Sequence, residues 1–343
     1  MSRPLVGMTP VSPDEYAAET EGGRLPAPAA VRENVWILPQ PITSTHAPHF
    51  TLSYLVRDSD GGITVIDPGV ADARNVDRLV AQLAAIGSSS TDVRAVVVTH
   101  LHHDHLGLAE RLRAEFGARL AIGRAEQEAI MRLSEKAPRQ VELMDARTLS
   151  WGVPAEFLDE LHDYAVGFTQ RNGSVDAPFR ADLLLDDGEL LDLPGRSIRV
   201  LNTPGHTPGH INLRDEDERL LFTGDHLLPS MFPGIGLGGA QVNPIGGYLH
   251  SLDVIAGFDD HEVLPGHGYR FTGLTSRLEA TRAHHLKRSR EVRGILAEQP
   301  DATVWQVASL ISWTVGWPNL HGLYLASALA QTAMHIELVS TEG

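Results

Sequence analysis

Asp92-Val-Arg-Ala-Val-Val-Val-Thr-His100-Leu-His-His-Asp-His-Leu-Gly107 is the stretch from which the fold of this chain is read. Val93 to Val98 is apolar and β-branched, the composition of a strand buried on both faces. It ends at His100, His102, Asp104 and His105, four donor side chains crowded at the place where open α/β sheets gather their ligands. Imidazoles and a carboxylate packed this closely cost free energy unless a divalent cation shares their lone pairs. The run therefore predicts a metal site at the end of a buried strand.

Three later motifs repeat the design. They are Asn202-Thr-Pro-Gly-His206-Thr-Pro-Gly-His210, Leu221-Phe-Thr-Gly-Asp225-His226 and Leu264-Pro-Gly-His267-Gly268. Each is a short apolar segment that runs into a glycine-containing turn bearing a histidine or aspartate. With these four motifs in this order, residues 31 to 275 resemble the metallo-β-lactamase-fold hydrolase superfamily, of the glyoxalase II and lactamase-like-protein-2 type. The resemblance implies an α/β fold, a four-layer αβ/βα sandwich with a helical C-terminal extension. It implies that His100, His102 and His206 hold one metal ion and that Asp104, His105 and His267 hold a second, with Asp225 bridging. It also implies that Asp67, in Val65-Ile-Asp-Pro-Gly69, orients a metal-bound histidine without binding metal itself. Five imidazoles and two carboxylates suit two Zn2+ per chain, and iron or manganese accepts the same donor set.

Other histidines are expected to be ordinary hydrogen-bonded core or surface residues: His46, His49, His162, His284, His285, His321 and His335. His103 should point away from the site. His210 and His226 stand between supporting a ligand and touching substrate.

Composition narrows the function. The chain has 343 residues, 42% of them apolar and 21% charged, as in a soluble globular protein. No apolar run approaches the ~20 residues of a membrane span, so no membrane partner is expected. The absence of cysteine and of an apolar leader points to a cytoplasmic protein. A formal net charge of −16 disfavours extended nucleic-acid binding.

Residues 1–30 lack periodicity and read as an extension, loose or draped over the domain. Strands are expected at Val35 to Leu38, Thr51 to Val56 and Ile63 to Ile66, the last two forming a hairpin. A helix is expected to bury Val76, Leu79, Val80 and Leu83. A further hairpin is expected from Leu183-Leu-Leu and Leu190-Leu-Asp-Leu193, turned at Asp187-Gly188. Residues 135–180 form a lid-like insertion whose Phe157, Leu158, Leu161, Tyr164 and Phe168 share a helical stripe, either packed on the domain or walling an apolar channel. Leu227 to Gly239 reads as a mobile wall beside the metals or as a connecting loop. Residues 276–343 carry three helices that resemble a small winged-helix-like domain. The basic run Arg277, Arg282, Lys287, Arg288, Arg290 and Arg293 is a solvated face or an anion contact. An apolar edge strand or the C-terminal helices offer a surface for a homodimer.

The expected chemistry is hydrolysis of a small-molecule substrate by a hydroxide bridging two metal ions. The first metal polarises the substrate oxygen, and Asp104 acts catalytically by steering the nucleophile and accepting its proton. A thioester, acyl-CoA or related, fits the aromatic insertion and the acidic surface, and a lactone fits nearly as well. The alternatives are a phosphodiesterase or endoribonuclease acting on single-stranded RNA, and a non-catalytic metal-site scaffold that binds a small ligand or partner.

Overall fold

The computed structural model describes residues 6–22, 24–42, 48–136, 139–172, 178–239, 241–313 and 315–341. His46 and the side chain of Phe168 lie outside the described residues. In chain order the first elements are β1 (Thr9–Pro10), α1 (Pro13–Glu21), β2 (Ala29–Arg32), β3 (Val35–Pro41), β4 (Phe50–Arg57), β5 (Ile63–Ile66), α2 (Ala73–Ala85) and β6 (Val93–Val98). Then come α3 (His103–Leu106), α4 (Ala109–Phe116), β7 (Arg119–Gly123), α5 (Arg124–Lys136), α6 (Gln140–Ser150), α7 (Ala155–Asn172) and β8 (Leu183–Leu185). The second half holds β9 (Ile198–Asn202), β10 (Ile211–Asp215), β11 (Leu220–Gly224), α8 (Pro244–Ile255), β12 (Glu262–Pro265) and β13 (Phe271–Thr272). Three helices follow: α9 (Leu274–Glu298), α10 (Val304–Leu310) and α11 (Gly322–Thr341).

One sheet has the order β2-β3-β4-β5-β6-β7-β8 and the other β1-β13-β12-β11-β10-β9. Strand alternation sorts their side chains into layers. Val97, Ile66 and Tyr54 of the first sheet meet Val200, Leu213, Phe222 and Leu264 of the second. The neighbouring Val96 and Val98 turn outward onto Leu79 and Leu83 of α2 and Leu112 of α4. Leu221 and Val263 likewise turn outward onto Tyr248 and Leu252 of α8. Helix, sheet, sheet and helix are stacked as the resemblance implied. Val93–Val98 pairs in parallel with β5 on one side and β7 on the other, which is why it carries no polar alternation.

Of the two readings of the N-terminal extension, residues 9–21 take the draped one, since β1 pairs with β13 and the buried Glu15 of α1 bonds Arg270 at 2.7 Å. Three other sequence expectations are not met. Leu183–Leu185 and Leu190 do not form a hairpin. β8 joins β7 in one sheet while Leu190 bridges Arg199 in the other, so the Asp187-Gly188 turn passes between sheets. Val80 faces solvent at 44% exposure, whereas Val76, Leu79 and Leu83 are buried. Among the described residues no strand follows β13, so the C-terminal helices carry no wing.

The insertion and the tail share a core. Val153 and Leu161, with Phe157 and Leu158 beside them, pack against Ala308, Leu325 and Leu329. The apolar stripe of α7 is therefore spent on α10 and α11. Among the described residues no helix is long and apolar enough to cross a membrane.

Candidate metal centre

β5, β6, β9, β11 and β12 all end at one edge of the sandwich, and the loops leaving them carry Asp67, His100, His206, Asp225 and His267. Thr99 O accepts Ile211 N–H at 3.0 Å and thereby ties the two sheets together there. His100 and His102 flank Leu101 in the bend that leaves β6, and both rings reach the same group. At His102 the chain turns into the single helical turn of α3, which directs Asp104 and His105 inward and leaves His103 exposed.

The structure brings all seven side chains named from the sequence into two groups. In the first, His102 Nδ1 lies 3.0 Å from His100 Nε2 and 3.2 Å from His206 Nε2. In the second, His105 Nε2 lies 3.2 Å from His267 Nε2, and Asp104 Oδ2 lies 3.3 Å from His267 Nε2. Asp225 serves both with different oxygens. Its Oδ2 is 3.6 Å from His206 Nε2 and 3.9 Å from His100 Nε2. Its Oδ1 is 3.5 Å from His105 Nε2 and 3.4 Å from His267 Nε2.

Four of the five rings are oriented from behind. His206 Nδ1 donates to Gly234 O at 2.6 Å and His267 Nδ1 to Phe50 O at 2.8 Å. His105 Nδ1 donates to Asp67 Oδ2 at 2.8 Å. Thr99 Oγ1 gives its proton to Asp67 Oδ2 at 2.7 Å, so it accepts from His100 Nδ1 at 3.0 Å. Each of these rings therefore turns its Nε2 toward the centre. Neutral imidazoles that aim lone pairs at one another, as His206 Nε2 and His102 Nδ1 do across 3.2 Å, need a cation to share. Ligand nitrogens ~2.0–2.1 Å from a tetrahedral ion stand about 3.3–3.4 Å apart, close to the spacing seen here. The buried Asp225 Oδ1 has no hydrogen-bond donor, and a Cβ on Gly266 would sit 2.7 Å from it. The donor set fits divalent metal ions.

Charge separates the groups. Burial and neighbouring imidazoles push His100 and His206 down and bring His102 to about 3, so these rings are neutral at pH 7. His105 and His267 are held above the usual imidazole range against the pull of burial, chiefly by Asp225, with Asp104 and Asp67 assisting. In that second group a metal ion would replace protons.

Asp67 does not face the centre. Held at φ 50° at the end of β5, it spends its carboxylate on Thr99 and His105. His210 and His226 are buried. His210 Nδ1 meets Thr203 Oγ1 at 3.0 Å and its Nε2 accepts Asp225 N–H at 3.2 Å, which supports a ligand loop and leaves no face for substrate. His162 pairs with Asp145, and His285 and His335 are buried between α9 and α11.

The Leu227 to Gly239 loop is fastened. Leu227, Leu228 and Ile235 are buried, Gly236 N–H bonds Gly205 O at 2.8 Å, and Leu237 N–H bonds His206 O at 2.8 Å. Arg277, expected on a basic face, is buried instead and donates to Leu228 O and Met231 O while lying over the Phe232 ring. Sequence reasoning did not identify Thr99, or the carbonyls of Phe50 and Gly234, as supports. Thr99 was legible as the neighbour of His100, whereas backbone carbonyls leave no signal in residue identity.

The model of the Metallo-beta-lactamase superfamily matches residues 46–267. The probable metallo-hydrolase YqjP of Bacillus subtilis (strain 168) is 27% identical over 297 residues, which cover 84% of this chain and 87% of the relative. The acyl-coenzyme A thioesterase MBLAC2 of Bos taurus is 27% identical over 224 residues, 62% of this chain and 71% of the relative. A solved metallo-beta-lactamase family protein from Thermus thermophilus superposes with a TM-score of 0.71 at 28% identity, over 92% of this chain and 95% of that one.

Proposed function

The chain belongs to the metallo-beta-lactamase superfamily and is a metal-dependent hydrolase, and we propose that it cleaves thioesters, acyl-coenzyme A or related, with lactones as the next substrate class. In this reading His100, His102 and His206 hold one zinc ion, Asp104, His105 and His267 hold the other, and Asp225 joins them. The observation that carries it is the division of Asp225, one oxygen toward each histidine group. When bound, a pair of divalent ions supplies a Lewis acid for the scissile carbonyl and an acidified water as nucleophile.

The side chains do the rest. Asp104 keeps 15% of its side chain accessible, while His100 and His105 are closed off, so substrate enters from the side of Asp104 and His102. Asp104 takes the proton of the attacking water. Asp67 and Thr99 hold His105 and His100 in the tautomer that the site needs.

Two observations favour a thioester. One is the likeness to a relative named as an acyl-coenzyme A thioesterase. The other is a cavity of about 80 Å³ between the insertion and α11, lined by the mainly apolar Met144, Trp151, Leu161, Tyr164, Ala326 and Ala330 together with Arg147 and Thr148. Met334, one turn beyond Ala330, packs against Gly236 in the loop fastened to His206. RNA is the weaker reading because four of the basic side chains of α9 already have partners within the chain. Arg277 is buried, Arg288 lies over Trp313, Arg282 pairs with Asp253 and Lys287 pairs with Glu291.

The test is one panel of acyl-CoA thioesters, lactones, bis-p-nitrophenyl phosphate and short single-stranded RNA, each with and without chelator. Thioester turnover that chelation abolishes is expected. RNA cleavage without thioester turnover would contradict the proposal.

A further inference from the structure

The loop bearing His100 and His102 and the loop bearing His206 leave different sheets, and one buried carboxylate spans them. Glu126, in the first turn of α5, is wholly buried. Its Oε1 accepts Leu101 N–H at 2.7 Å, the amide between His100 and His102. Its Oε2 accepts Gly209 N–H at 2.7 Å, three residues beyond His206 and one before His210. Both oxygens are engaged by backbone donors of loops that carry candidate ligands.

The junction leaves little room for adjustment. A Cβ on Gly209 would lie 2.0 Å from Glu126 N and 2.5 Å from Ala125 C, so only glycine brings that loop within reach of the carboxylate. A Cβ on Gly123, at the end of β7, would meet Gly209 O at 2.7 Å. Burial pushes the Glu126 carboxyl up to about 7, against the pull of Thr207 and the two amides. An ionisable group in so dry a place is costly, and a leucine or methionine would fill the volume without that cost. What they lack is two acceptors set apart to hold two loops.

We propose that Glu126 is a positioning residue that fixes the spacing between the His100–His102 pair and His206, and through it the affinity of that group for its ion. The proposal rests on the reading of those three histidines as ligands. Residues that orient ligands in this way change metal affinity by about 10- to 100-fold when altered.

The experiment is stepwise Zn2+ binding to metal-stripped full-length protein, in competition with a chromophoric chelator, with the thermal midpoint of the metal-free protein recorded alongside. Glu126→Gln keeps the shape and replaces one acceptor by a donor. It should weaken one of two binding steps by about 10- to 100-fold and leave the other step near wild type, while the metal-free midpoint falls because one buried backbone N–H loses its acceptor. At saturating zinc, kcat should fall with KM unchanged. Two unaltered binding steps would overturn the proposal, and so would a loss shared equally by both steps. Should Glu126→Gln not fold, Glu126→Asp retains two acceptors on a shorter arm and should still show the selective loss, so wild-type affinity in that variant overturns it equally. A wild-type chain that takes up no zinc would instead defeat the ligand assignment and the proposal with it.

Discussion

Asp225 turns one oxygen toward each imidazole group, so its removal should be felt at each. In Asp225→Asn one oxygen becomes an amide nitrogen that cannot ligate. The variant should bind fewer than two zinc ions and lose activity by about 100-fold or more, as read by metal analysis and initial rates on the same sample. Asp67→Asn tests the layer behind. It takes an acceptor from His105 and Thr99, and one zinc step should weaken by about 10-fold or more while the other holds. At this scale the sequence was highly legible, because a metal needs particular atoms and those atoms come from few residue types. What it hid was supplied by backbone. Phe50 and Gly234 serve through carbonyls that any residue would offer, and the burial of His210 and His226 depends on packing across sheets.

Elements were legible where one periodicity governed them and obscure where two contexts met. Val93–Val98 had no other reading. Leu183–Leu185 and Leu190 looked like two halves of a hairpin, since local pattern does not say which sheet a short strand joins. Residues 13–21 showed no apolar stripe because α1 is held by charge. Arg270 lies between Glu15 and Glu262 at 2.7 and 2.9 Å, nearly without solvent. Glu15→Ala leaves that guanidinium short of a partner and should cost about 3 kcal/mol in denaturant unfolding.

The C-terminal helices make a pH prediction. Burial, with neighbouring cationic side chains and imidazoles, brings His285 and His335 to about 3 and His284 to about 4. Their folded values lie below the unfolded value of about 6.5, so above that pH both states are neutral and stability is whole. As pH falls below about 6.5 the unfolded chain gains the proton first, and stability is lost at about 1.4 kcal/mol per pH unit for each of His285 and His335, and by less for the more exposed His284. His335→Gln should make the acid limb of tryptophan-detected unfolding shallower by roughly one proton. Comparison with wild type at equal metal loading cancels the contribution of the ligand histidines, and an unchanged limb would contradict the assignment.

Across the whole molecule, the insertion and the tail form one helical body although residues 181–275 lie between them in sequence. Trp151, Phe157, Trp305 and Trp317 gather around the core they share. Composition showed the aromatic stripe of α7 but not its partner, since an amphipathic helix does not name the surface that it covers. Removing residues 135–180 would strip α10 and α11 of their cover, so loss of folding is the expected result. A finer probe is Ala330→Leu, which fills the cavity between the insertion and α11. If that cavity receives the acyl chain, KM should rise for long-chain thioesters and stay unchanged for short ones. Equal KM changes for both would remove the cavity from the account.

The central claim is that seven side chains from four loops hold two ions. Zinc-edge anomalous diffraction from crystals grown with zinc tests it most directly. Two peaks about 3.5–4 Å apart are expected, one bound by His100, His102 and His206, the other by Asp104, His105 and His267, with Asp225 touching both. A map with no peak among these residues, or with a single ion bound elsewhere, would contradict the account.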